Sequence, residues 1–214
     1  MDHAALTDNY MIRSVGQKSL PAIGFLTVTR DADQGLLGGY LVLNSLGRPL
    51  EFHCTAPVRA NRAQEILYGP TLDPYLCGER IGQTLLEKSK AAPKIVLTDC
   101  PPAMAARFVV DTPMALVLDP PAPTPEADGA GPHSSPPAAG ETAIGGVVRV
   151  ASGSGGAPLQ AFPLGSYRVA VLAERPEDEP YLVEQWAHFA GQIEMDEPFH
   201  RIREAIDEAR ASSH

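Results

Sequence analysis

The chain has 214 residues, 44% of them hydrophobic and 20% charged, with 17 Lys/Arg against 26 Asp/Glu. That suffices for one hydrophobic core, or a core with a smaller satellite, and the balance is that of an ordinary globular protein. No apolar run approaches the roughly 18 residues of a membrane helix, and the polar, acidic first ten residues lack the apolar segment of a secretion signal.

Three cysteines, Cys54, Cys77 and Cys100, are an odd number and fit a reducing compartment. The expectation is therefore a soluble, cytoplasmic protein with no membrane partner. Abundant Ala, Gly, Pro and Arg with only four Lys suggest a GC-rich bacterial genome. Residues 1–118 balance 11 basic against 11 acidic side chains, whereas residues 119–214 carry 6 against 15. An acidic C-terminal half repels phosphate, so nucleic acid is an unlikely partner for it. In the neutral half, Arg59, Arg62, Lys88, Lys90 and Lys94 read as a solvated face.

The first patterned segment, residues 22–30, is β-rich and apolar on both faces, as an interior strand should be. A turn over 31–35 and a second strand over 39–44 follow. Gly47 then supplies the positive φ of a hairpin, and residues 49–55 alternate as a third strand. The period then lengthens to 3.6. Asn61 caps a short helix that Gly69 and Pro70 stop, and Asp73 and Pro74 restart it with a stripe of Cys77, Ile81 and Leu85. A strand over 94–99, a short helix from Pro101 through Phe108 and a strand over 113–118 predict a parallel pair with a right-handed crossover.

Seven prolines between Pro120 and Pro137, and almost no large apolar residue, predict a disordered linker or insertion over 119–143. Strands are expected again over 147–151, 159–162 and 167–172. Two helices close the chain, one from Pro180 and one capped by Asp196. The predicted class is α/β or α+β, divided as an α/β domain over 1–118, the linker or insertion, and an acidic α+β module over 144–214. One continuous sheet through both parts is the other arrangement the pattern allows.

Taken in order, the three-stranded antiparallel meander followed by helix, strand, helix and strand over residues 22–118 resembles the ribonuclease H-like architecture. The likeness is one of order, without a specific motif. It implies acidic side chains holding two Mg²⁺ or Mn²⁺ ions for phosphodiester hydrolysis, with Glu65, Asp99 and Asp31 or Asp33 as candidates. The chain departs from that pattern at the middle of the first strand, where the architecture carries an aspartate and residues 23–30 have none. Residue by residue, Asp99 reads as a cap for the helix at Pro101 and Glu65 as a solvated helix position.

Other chemistries find less support. His53 and the three cysteines lack the close pairs of a zinc site, each cysteine standing 23 residues from the next, and the thiols read as buried and inert. Glu197 and His200 match one Glu-x-x-His motif where a di-iron bundle needs two. The Gly-rich residues 152–156 lack the Lys and following helix of a phosphate loop. No cofactor is predicted outside the hydrolase reading. Without a convincing catalytic set, the leading expectation is a non-catalytic accessory or protein-interaction subunit. Its partner would be another protein or a second copy, docking on Trp186, Phe189, Phe199, Ile202 and Ile206, whose plainer reading is that they cover the sheet of their own half.

Overall fold

The computed structural model describes residues 20–118, 141–144, 147–150 and 156–211. Strand β1 (Ala22–Asp31) pairs antiparallel with β2 (Gly35–Asn44), and β2 pairs antiparallel with β3 (Pro49–Cys54). This is the expected meander, with Gly47 at φ +72° in its second turn. β2 begins four residues before its expected start, because Gly35 to Leu37 continue the ladder opposite Thr29 to Asp31. On the other side of β1, strand β4 (Ile95–Thr98) runs parallel to it, and β5 (Met114–Leu118) runs parallel to β4.

Strands β6 (Glu141–Ile144), β7 (Val147–Val150), β8 (Leu159–Leu164) and β9 (Tyr167–Leu172) continue the sheet. β9 lies antiparallel against β5, so the strand order is β3-β2-β1-β4-β5-β9-β8-β7-β6. The result is a mixed α/β fold with one continuous nine-stranded sheet, the second of the two arrangements open from sequence. The linker expected over 119–143 lies outside the described residues up to 140, and Glu141–Ile144 form a strand instead. Its backbone groups are satisfied by pairing with β7, which sequence polarity cannot reveal.

Helices cover both faces. On one lie a π-helical segment Pro74–Gly82 running into α2 (Gln83–Lys88) and a 3-10 helix Pro101–Phe108, while α1 (Arg62–Tyr68), ahead of them in the chain, buries none of its residues. On the other lie α3 (Asp178–Trp186) and α4 (Glu197–Ala211). The sheet core divides by strand alternation. Ile23, Phe25, Leu41, Leu97 and Val169 face α3 and α4, while Leu26, Tyr40, Val96, Met114 and Leu116 face the π-helical side.

Two adjacent glycines in β2 set how close these layers come. A Cβ on Gly38 would stand 2.1 Å from Ile81 Cγ2, and one on Gly39 would stand 2.2 Å from Ile202 Cγ2. Each glycine is therefore the hole into which a helix residue fits, one from either side.

Trp186, Phe189, Phe199, Ile202 and Ile206 are all buried in the α3/α4 layer. The expected docking surface is thus core. The single sheet supplies the apolar area that a small three-stranded module would have lacked. Phe25 and Phe199 meet edge to face with centroids 5.5 Å apart, locking α4 onto β1.

The stretches before and after the Pro-rich segment are also joined by a buried ion pair. Arg107 donates from Nε (2.7 Å) and Nη2 (2.9 Å) to the two carboxylate oxygens of Asp178, and from Nη1 to the Val110 carbonyl. Both side chains are almost fully buried. Removing one partner strands a charge, which typically costs about 3–5 kcal/mol, whereas an apolar replacement of both costs far less. Urea unfolding should therefore show Asp178→Ala destabilised by about 3–5 kcal/mol and Arg107→Met/Asp178→Leu destabilised by clearly less. Equal losses in the two variants would mean that charge burial is not the source. A Gly39→Val variant should lose about 1–3 kcal/mol through overpacking against Ile202 in the same measurement.

Candidate functional site

The carboxyl ends of parallel strands are where open α/β sheets gather ligands. Here those ends belong to β1, β4 and β5; β4 presents Asp99, directly after Thr98, and β1 ends on Asp31. Asp99 does not cap the 3-10 helix, whose first turn has no side-chain cap at Cys100. Instead Thr27, buried in β1, donates its hydroxyl to Asp99 Oδ1 at 2.6 Å, and Arg203 of α4 donates Nη2 to Oδ2. Both carboxylate oxygens are engaged, one by a neutral donor and one by a cation.

Asp31 sits at the far end of β1 and closes the β1–β2 turn. Its Oδ1 accepts from the backbone N–H of Asp33 at 2.9 Å and of Gln34 at 2.7 Å. Its Oδ2 accepts from Arg210 at 2.6 Å. The Gln34 N–H holds this carboxyl below its ordinary value of 3.8, with the Asp33 N–H and Arg210 acting the same way and partial desolvation opposing. Asp33 is exposed in the same turn. Glu65, in α1, pairs with Arg62 one turn away at 2.9 Å and is half-exposed.

The spacing between these groups follows from the elements that carry them. Arg203 and Arg210 are seven residues apart on α4, about 10 Å along a helix. Thr27 and Asp31 are four residues apart in β1, about 13 Å along a strand. Asp99 and Asp31, which bond these residues in register, cannot share ions that must stand about 3.5–4 Å apart. Among the described residues no three His, Cys, Asp or Glu side chains are placed to hold a metal. The carboxylates present therefore do not fit the two-metal chemistry that the strand order suggests. A cavity of about 410 Å³ does open beside Asp31, lined by Leu37, Cys54, Ile206 and Arg210, but Asp99 does not reach it.

The remaining sequence candidates separate as well. His53 reaches Glu51 at 3.3 Å, and Glu51 also accepts from Ser89 Oγ and the Lys90 N–H, tying the edge strand to the end of α2. Glu197 pairs with Arg201 rather than with His200. Residues 152–155 lie outside the described residues.

The cysteines are not uniformly buried. Cys54 is exposed on edge strand β3, Cys77 is buried in the π-helical segment and Cys100 is half-buried. Interaction with the Cys77 thiol lowers the Cys100 thiol, burial opposes this and the Ala103 N–H reinforces it. Cys77 is pushed up by the same interaction and by burial. Arg203 is the part of the site that sequence reading missed, because it looks like a surface residue of an amphipathic helix.

No protein-family model matches this chain, and no curated protein matches it. One similar solved structure is endonuclease V of Ciona intestinalis (D234N) in complex with a 23mer DNA containing an inosine followed by a ribo-adenosine. It is 17% identical with a TM-score of 0.31, and the match covers 50% of this chain and 50% of that one. This chain thus spans about half the length of that protein.

If Thr27 and Arg203 jointly hold Asp99, replacing Asp99 by Asn should lower stability by about 1 kcal/mol, through loss of charge-assisted bonds. Thr27→Val, which removes the donor while keeping the shape, should cost a similar amount, and Asp99→Asn/Thr27→Val less than the sum. Additive losses in urea unfolding would break the network apart. Because the Asp31 carboxyl is held below 3.8, its contribution is present above that pH and lost as pH falls through the folded value. Asp31→Asn should flatten the acid limb of the urea midpoint against pH, and an unchanged limb would rule Asp31 out as its source.

Proposed function

We propose that this chain is a non-catalytic accessory or protein-interaction subunit built on a ribonuclease H-like strand order. What supports this is the Thr27–Asp99–Arg203 network. At the end of β4, where the architecture would gather metal-binding carboxylates, Asp99 is bonded on both oxygens, one of them by a cation. A hydrolase needs that charge uncompensated and needs further carboxylates within reach of the same ions.

A protein partner fits the surface on α1 better than the buried aromatic residues of α3 and α4. This seven-residue helix has a full capping box between Asn61 and Gln64 yet buries none of its own residues. Ile66 and Leu67 are 66% and 81% exposed side by side. So short a helix gains nothing from burial of its own apolar residues, so the aliphatic pair is available to an apolar face on another protein.

The second reading is a metal-dependent phosphodiester hydrolase using Mg²⁺ or Mn²⁺. It is favoured by the order β3-β2-β1-β4-β5 and by the place of Asp99 at the end of β4. Single-stranded DNA, double-stranded DNA and RNA incubated with the full chain and Mn²⁺ or Mg²⁺ should remain uncut above the metal-only control, for the native protein and for Asp99→Asn alike. Metal-dependent cleavage that disappears in Asp99→Asn would replace the accessory reading with the hydrolase.

A further inference from the structure

Strand β3 ends the sheet, and among the described residues only β2 pairs with it. In an antiparallel ladder, residues alternate between those that bond a given neighbour and those that turn away from it. The Thr55 N–H donates to the Gly38 carbonyl at 2.9 Å, so Thr55, and with it His53, bonds toward β2. Phe52 and Cys54 therefore turn their N–H and C=O groups away from the sheet. Unpaired groups in a row along an edge are a template for another strand.

The side chains along this edge sort by face. Phe52 lies opposite Leu41, on the face that α3 and α4 cover, whereas Glu51 and His53 lie on the other face. α4 packs over β1 and β2. Beyond it, Leu50 and Phe52 are 48% and 39% exposed, and Cys54 is exposed in the same row. No charge stands in that row, although a charge is a common means of keeping an edge from pairing.

We propose that β3 pairs antiparallel with β3 of a second copy, joining two sheets across a twofold axis at Phe52. A second copy is the occupant because the edge is complementary to itself in this register. Phe52 meets its mate as a bonded pair, with two reciprocal N–H to C=O bonds, and Leu50 lies opposite Cys54. On the other face Glu51 lies opposite His53 of the second copy, and His53 opposite Glu51. These fall at the non-bonded positions, where facing side chains come closest, so an acid and a base meet twice. Shifting the register by two residues either way sets Glu51 against Glu51 or His53 against His53. Like charges directly opposite are unfavourable in a sheet, and the centred register avoids them.

Symmetry supports the same choice. Two β3 edges close on each other, leaving a finite dimer, whereas β3 against the opposite edge β6 leaves a free edge at each end and grows without closing. The interface goes beyond the accessory reading above, since it uses neither α1 nor Asp99, and either can fail without the other.

The test is sedimentation equilibrium of the full native chain from micromolar to millimolar concentration. The expected result is a reversible species of twice the chain's mass and none larger. Phe52→Lys puts two like charges on the axis and removes the aromatic anchor, so it should weaken the dimer at least about tenfold. Circular dichroism checks that this exposed substitution leaves the fold intact. A cross-link reads the register directly. The Phe52 pair would stand about 5.5 Å apart between Cα atoms, within disulfide reach. Phe52→Cys/Cys54→Ser should therefore link through position 52 under mild oxidation by diamide. The native Cys54 residues, about 13 Å apart in this register, should not link to each other. A native chain that stays monomeric at every concentration overturns the proposal. So does a dimer that Phe52→Lys leaves unchanged, growth beyond a dimer, or a Cys54–Cys54 link in the native protein.

Discussion

Helices can pack on both faces of this sheet at the same point because β2 carries Gly38 and Gly39 in succession. Strand alternation sends their missing side chains to opposite faces, so Ile81 fills the space on one side and Ile202 on the other. Much else depends on that seat. With Ile202 against Gly39, α4 lies along β1 and β2 in one register, buried through Phe199, Ile202 and Ile206. Arg203 then reaches Asp99, and Arg210, two turns further on, reaches Asp31. A side chain at position 39 would lift the helix and both arginines with it. The charge compensation at the strand ends is thus a consequence of core packing.

The same geometry connects the fold to the functional reading. A site with uncompensated carboxylates would attract divalent cations, whereas carboxylates bonded to arginine and threonine hold a helix in place. In this protein the C-terminal helix supplies cations where a two-metal site would need more acids. The Arg107–Asp178 pair does similar work at the other end of the 3-10 helix, joining it to the start of α3. Ion pairs therefore bind together segments from before and after the Pro-rich stretch, alongside the β5–β9 ladder.

Local structure was largely legible in the sequence. The meander, the Asn61 cap, the positive-φ Gly47 and the parallel β4–β5 pair all follow from periodicity and turn chemistry, because neighbours in sequence settle them. The reading failed where local signal and tertiary need diverge. Gly38 and Gly39 look like a strand boundary, yet they are interior strand residues needed for close approach. Residues 141–143 are too polar to suggest burial, yet they join the sheet through backbone bonds that no side-chain pattern reports. The aromatic residues of α3 and α4 looked excessive for a small module because the size of the sheet they cover was not visible.

The sequence by itself determined the class of the fold, the positions of most strands and helices, and the candidate residues, since propensity, capping and period depend on a few adjacent side chains. Tertiary structure alone decided that the two stretches share one sheet and that Asp99 and Asp31 are separately neutralised. Those facts depend on distances between residues far apart in the chain. Such distances arise from the packing of whole elements, which no window of the chain encodes.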